Sequence, residues 1–138
     1  MNLIASEIND VIERRIYAEG VFHQRFLKDK MVSDLHILES IQFLKKNKID
    51  FNFVNVLEFE GFSNIQPEVR RWAKSTFKRK GNAIADAIIV EKLPQKITAN
   101  FYLSVDGPIL PTKIFQKRED AFHWAKEQLL INPLLIDG

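Results

Sequence analysis

The chain of 138 residues has no cysteine and only five glycines, all isolated from one another. Without cysteine there are no disulfides, thiolate metal sites or cysteine nucleophiles, so packing alone must hold the fold together. Isolated glycines exclude the loops that cradle nucleotide phosphates, and the G-x-S-x-G elbow of acyl-transfer enzymes is also missing. We therefore expect no cofactor, and no motif specifies a chemical reaction.

Long apolar runs are missing as well. No stretch approaches the length of a membrane span, and the first residues lack the basic start and apolar core of a secretory signal. These absences predict a cytoplasmic protein. The length suits one domain, and 46% hydrophobic residues suffice for a core. We expect a single domain over residues 1–138, with an apolar tail at 131–138 that packs on the body or on a second copy.

Hydrophobic periodicity predicts strands and helices that alternate along most of the chain. Residues 11–28 favour a hairpin that turns near Gly20. Apolar runs at 51–59 and 83–90 are typical of strands covered on both faces, and 112–115 favours a shorter strand. Four helical patterns follow Ser33, Pro67, Pro94 and Gln116, the first with an apolar stripe of Leu38, Ile41 and Leu44.

This order indicates an α/β fold with a mixed β-sheet. The N-terminal antiparallel hairpin supplies edge strands, and β-α repeats supply a parallel half with about four helices.

Charge is nearly balanced over the whole chain, with 20 basic and 18 acidic residues, so we expect no nucleic-acid partner. Residues 67–81 are the exception, with six basic residues and one acidic residue. Four of the basic residues share one face of the predicted helix, opposite its apolar stripe: Arg70, Arg71, Lys74 and Lys78. This face either binds an anion or an acidic partner, or is a solvated outer face.

Four segments of the C-terminal half carry a family resemblance: AIADAIIV at 83–90, ITANFYL at 97–103, PTKIF at 111–115 and EDAFHW at 119–124. In this order they resemble the SpoIIAA-like, or STAS/SEC14-type, small bacterial proteins of the STAS superfamily. The resemblance covers roughly residues 11–130. It implies a STAS fold and a regulatory interaction module rather than an enzyme.

The resemblance also implies a phosphoacceptor. In the STAS proteins that antagonise anti-sigma factors, a serine within Asp-Ser-Ser-Gly is phosphorylated at the start of the helix after the central strand. Here the matching loop reads EGFSN at 60–64, which makes Ser63 the candidate phosphoacceptor. The preceding Asp and the following Ser-Gly are missing, so a cap or turn residue is the alternative interpretation.

Three further groups of residues have competing interpretations. One group is apolar and has three alternative interpretations: a site for a lipid-like ligand, a subunit interface, or part of the core. It consists of Phe101, Tyr102, Leu103, Ile109 and Leu110. His23, His36 and His123 lack the spacing of metal ligands, so no metal site is expected. Glu58 and Glu60 share one side of a strand, where solvent-facing acids are commoner than catalytic pairs.

Together these observations predict a non-catalytic, STAS-like regulatory module that acts through protein–protein contact as a homodimer. The alternative is a small carrier or sensor that binds an apolar or anionic ligand. The sequence identifies neither the protein partner nor the pathway.

Overall fold

The computed structural model describes residues 1–27, 32–61, 70–72, 74–75 and 82–131, and of residues 101, 102, 105 and 106 the backbone alone. Its six strands are β1 (Leu3–Ile8), β2 (Ile12–Tyr17), β3 (Val21–Phe26), β4 (Phe53–Phe59), β5 (Ala83–Val90) and β6 (Thr112–Phe115). They form one sheet in sequential order. The strands β1, β2 and β3 pair antiparallel, and β3 to β6 pair parallel, which confirms the predicted mixed sheet.

Helices cover the two faces of this sheet unequally. They are α1 (Asp34–Lys46), α2 (Leu93–Asp106) and α3 (Arg118–Ile131). The helices α1 and α2 pack on one face, here called the α1 face, over an apolar cluster that includes Phe22, Leu57 and Ile88. The helix α3 packs on the opposite α3 face, mainly against β4 and β5, through buried Ala121 and Ala125. The strands β1 and β2 therefore lie beside α3 rather than under it.

The first helix begins where the sequence predicts, because Ser33 occupies its N-cap position. The backbone N–H of Ser33 donates to Nδ1 of His36 at 2.9 Å. The predicted apolar stripe is wrong at Leu38, which is 48% exposed, while Ser40 is fully buried in its place. Ser40 faces the sheet because its hydroxyl forms hydrogen bonds there with Arg14 and Gln24.

The strand β1 is an addition to the predicted order, which begins with the hairpin. It forms because its backbone pairs with β2, although almost none of its side chains is buried. The hairpin was also expected to supply edge strands. That expectation is wrong, because β2 lies between β1 and β3, and β3 lies between β2 and β4, so β1 and β6 are the edges among the described strands. Among the described residues, no helix combines the length and apolar character needed to cross a membrane.

Candidate functional site

A row of polar side chains crosses the α1 face, where apolar packing would be the default. Neighbours in the row come from β1 to β5, with one contribution from α1: Glu7, Arg14, Ser40, Gln24, Asn55 and Asp86. All except Glu7 are buried. Since a buried polar group without a partner costs about 1–3 kcal/mol, each member depends on the next one.

Arg14 is the charged centre of this polar row and is completely buried. Its Nε donates to Ser40 Oγ at 2.8 Å, and its terminal nitrogens donate to Glu7 Oε1 and the His36 carbonyl, both at 2.9 Å. Burial lowers the pKa of Arg14, and the carboxylates of Glu7 and Glu39 oppose that effect. Arg14 thus ties the edge strand β1 to the helix α1.

The polar row continues into the centre of the sheet. Ser40 Oγ donates to Gln24 Oε1 at 2.7 Å, and Gln24 Nε2 lies 3.5 Å from Asn55 Oδ1. Asn55 Nδ2 then donates to Asp86 Oδ1 at 3.0 Å. Because these groups pair in one register only, the row fixes how β3, β4 and β5 align.

The α3 face carries a second polar set, which is partly open to solvent. We call it the charged face; it consists of Glu13, Arg15, Arg25, Glu58, Glu60 and Arg118. Three arginines and three glutamates alternate there, so the set has no net charge. The side chains come from β2, β3, the end of β4 and the start of α3.

Glu58 is the most constrained member of the charged face, with a side chain 15% exposed. Its carboxylate accepts from His23 Nε2 at 2.9 Å and from two nitrogens of Arg118 at 2.9 and 2.8 Å. Burial alone raises the pKa of Glu58, but the hydrogen bonds and charges of His23 and Arg118 outweigh it and lower the pKa to about 2. The hydrogen bonds that Arg118 donates to Glu58 in turn raise the pKa of Arg118.

Arg25 connects the rest of the charged face. Its terminal nitrogens lie 3.2 Å from Glu13 and 3.3 Å from Glu60, so one guanidinium joins β2 to β4. The Nε of Arg25 has no hydrogen-bond partner among the described residues. Arg15, paired with Glu13 at 3.3 Å, is the more exposed of the two arginines. The charged face therefore presents guanidinium and carboxylate groups in fixed positions.

The charged face is better suited to binding than to proton transfer. A carboxylate with a pKa of about 2, as at Glu58, stays ionised at neutral pH and cannot act as a general acid. His23 offers little surface to a substrate, because its side chain is 5% exposed and Phe122 packs edge-on against its ring at 5.2 Å. Arginine, in contrast, is enriched in protein interfaces and binds carboxylates through paired hydrogen bonds.

The predicted basic site lies partly outside the described residues. Ser63 and Lys78 fall there, so the proposed phosphoacceptor and the fourth basic residue stay predictions. Arg70 and Lys74 are exposed. Arg71 instead donates to the Val32 carbonyl at 2.5 Å and lies 3.5 Å from Asp34. Its guanidinium therefore joins this segment to the start of α1.

The predicted apolar site does not form one exposed patch in the described residues. Leu103 is buried in the core, Leu110 packs against that core, and Ile109 is exposed. The side chains of Phe101 and Tyr102 lie outside the described residues. Core packing accounts for Leu103 and Leu110.

Each histidine has a structural partner within its own neighbourhood. His23 contacts Glu58, His36 accepts the cap hydrogen bond at the start of α1, and His123 lies 2.8 Å from Glu127 on the surface of α3. No group of three or more metal-ligating side chains occurs in the part of the chain that the structure describes.

The polar row is the feature that the sequence predictions missed. Its signal was present in part, because Asp86 is the single polar residue of β5 and Asn55 is one of two polar residues in β4. Gln24 gave no such signal, because it lies between His23 and Arg25 in β3. A polar residue in a strand covered on both faces must find a buried partner. Arg118 carried no comparable signal, because it lies 60 positions after Glu58 in the sequence.

Comparison with known proteins identifies a family but no function. No curated protein and no solved structure matches the chain. One family model matches residues 18–129, from the turn before β3 to the last turns of α3. Because this match covers most of the sequence, the chain belongs to the family described as Domain of unknown function (DUF7793).

Proposed function

We propose that this protein is a non-catalytic interaction module of the cytoplasm, which binds a protein partner through the charged face. The observation that supports this most strongly is the array of arginine and glutamate side chains on a part of the sheet that α3 leaves uncovered. Ion pairs hold these side chains in place before a partner arrives, so less side-chain entropy is lost on binding.

The composition of the surface favours a protein partner. An alternating array of both charges repels a polyanion as much as it attracts one, whereas a protein surface can match it charge for charge. The half-buried ring of Tyr17 lies on the same face and adds an aromatic contact of the kind common in interfaces. The resemblance to the STAS proteins implies the same class of function.

The carrier hypothesis has weaker support. It depends on an apolar site near residues 101–110, where Leu103 and Leu110 already belong to the core. The candidate phosphoacceptor Ser63 and the basic residues 70–78 remain a second contact region within the same proposal.

Photo-cross-linking in cells of the source organism tests the proposal. A photoreactive phenylalanine analogue replaces Tyr17 on the α3 face or, as the control, exposed Leu38 on α1. We expect a covalent adduct with one protein from position 17 and none from position 38. The adduct should weaken when Arg15→Glu reverses one charge of the array, and persist with Lys45→Glu on the opposite face.

Adducts at position 38 but not at position 17 would contradict the proposed surface. Loss of the adduct with both charge variants would indicate nonspecific attraction and would also count against it. Because Arg15 and Lys45 are both surface residues with little packing to lose, either change should leave the fold intact.

A further inference from the structure

The strand β1 is an edge strand with exposed apolar side chains. It ends the sheet on one side, so one row of its backbone N–H and C=O groups has no strand beside it among the described residues. Leu3, Ile4 and Ile8 are 52%, 47% and 64% exposed. Edge strands are normally shielded by lysine, proline, a bulge, an inward-pointing charge or a covering element. Residues 3–8 contain no lysine or proline, and the irregularity in their pairing with β2 is confined to the start of the strand, between Leu3 and Ala5. The one charge, on Glu7, is paired with Arg14.

The sequence of β1 complements itself in an antiparallel register centred on Ser6. In that register Ser6 faces Ser6 of the second copy, Ala5 faces Glu7, and Ile4 faces Ile8. Pairing with β2 places Ser6 and Ile8 on the α3 face, and Ala5 and Glu7 on the α1 face. From residue 5 to residue 7 directly opposed residues share a face, so the register keeps each face continuous there and brings no like charges into direct opposition. Ile4, opposite Ile8, lies at the irregularity between Leu3 and Ala5.

From these observations we infer that two copies of the chain pair through β1 to form a continuous twelve-stranded sheet. Exposed apolar side chains near Ile4 and Ile8 are then covered, and the two charged faces lie on the same side of the joined sheet. The inference goes beyond the proposed function, which concerns a different surface and a different partner. Each can fail without the other.

A single engineered cysteine tests the register, because the natural chain has none. Ser6→Cys places two sulfurs across the symmetry centre, where opposed Cα atoms lie about 4.5–5.5 Å apart, within disulfide range. Ile8→Cys is the matched control on the same strand. Its two copies lie four residues out of register, about 13 Å apart, too far for a disulfide.

We expect the Ser6→Cys protein to form a disulfide-linked dimer under mild oxidation at least about tenfold faster than the Ile8→Cys protein. Equal rates would overturn the register. Sedimentation of the unmodified chain should show a dimer, Ile8→Lys should shift it to monomer, and Leu35→Lys, at a similarly exposed position on α1, should not.

A monomer for the unmodified chain at all concentrations would overturn the inference. In that case, a cross-link from Tyr17 to a different protein would still support the proposed function. A dimer that Ile8→Lys leaves intact would mean that another surface pairs the copies, and it would equally overturn pairing through β1.

Discussion

The ion pair around Glu58 makes stability depend on pH in a way that can be calculated. The hydrogen bonds from His23 and Arg118 lower the pKa of Glu58 from 4.5 to about 2. A group whose pKa falls on folding stabilises the native state above its unfolded pKa and loses that effect as the pH falls through its folded pKa. The contribution is therefore complete above about pH 5 and absent below about pH 2.

The size of the effect follows from the same values. Each tenfold change in proton affinity corresponds to about 1.4 kcal/mol, so the lowered pKa is worth about 3 kcal/mol at neutral pH. At pH 3 about half of this remains. Because the Glu58 side chain is only 15% exposed, solvent screening reduces the effect less than at a surface pair.

The variant Glu58→Gln removes the ionisable group and keeps its shape. We expect its free energy of unfolding, measured with urea, to lie below that of the unmodified chain at pH 6, with the difference shrinking by about 2 kcal/mol at pH 3. Glu60→Gln is the control, because among the described residues Glu60 pairs with Arg25 and with no histidine. Its difference should stay within about 1 kcal/mol. A difference for Glu58→Gln that does not change with pH would refute the reasoning.

Four further substitutions test two glycine turns and the polar row. Gly20→Ala should cost about 2 kcal/mol or more in thermal unfolding, because at φ +94° its Cβ would lie 2.8 Å from the Asn52 carbonyl. Gly107→Ala, at φ +67° with open space around it, should cost about 1 kcal/mol, and an equal cost at both sites would contradict this. Arg14→Ala should lower the free energy of unfolding by about 3 kcal/mol and speed amide exchange in β1, whereas unchanged exchange would show that Arg14 does not hold the edge strand. Asn55→Ala leaves the Asp86 carboxylate without one donor and should cost about 2–3 kcal/mol in urea unfolding, with a cost under about 1 kcal/mol as the contrary result.

Much of the fold was predictable because buried strands and helices have characteristic patterns of apolar residues in the sequence. The strand β5 has the bounds that its apolar run predicts, since both its faces are covered. The start of α1 after Ser33 also agrees with the structure. The strand β1 was missed for the opposite reason. Its side chains are exposed, and its conformation depends on backbone pairing with β2, which leaves no hydrophobic pattern.

The candidate site was predictable only in part, because it is assembled from distant segments. Glu58 and Glu60 were recognised as acids on one side of a strand, and the structure gives both of them arginine partners. Nothing in the sequence connects Glu58 to Arg118, since only the crossover from β6 into α3 brings them together. The exposure of Leu38 and burial of Ser40 likewise depend on Arg14, a residue on another element.

The central claim is that this protein works by contact with other protein chains, and intact-mass measurement tests it most directly. Protein purified gently from its source organism is weighed by native mass spectrometry before and after unfolding. We predict a species of two copies of the chain, or of the chain with a second protein, that separates into polypeptides alone. One copy carrying a stoichiometric small molecule, released on unfolding, would contradict the account and establish the carrier hypothesis.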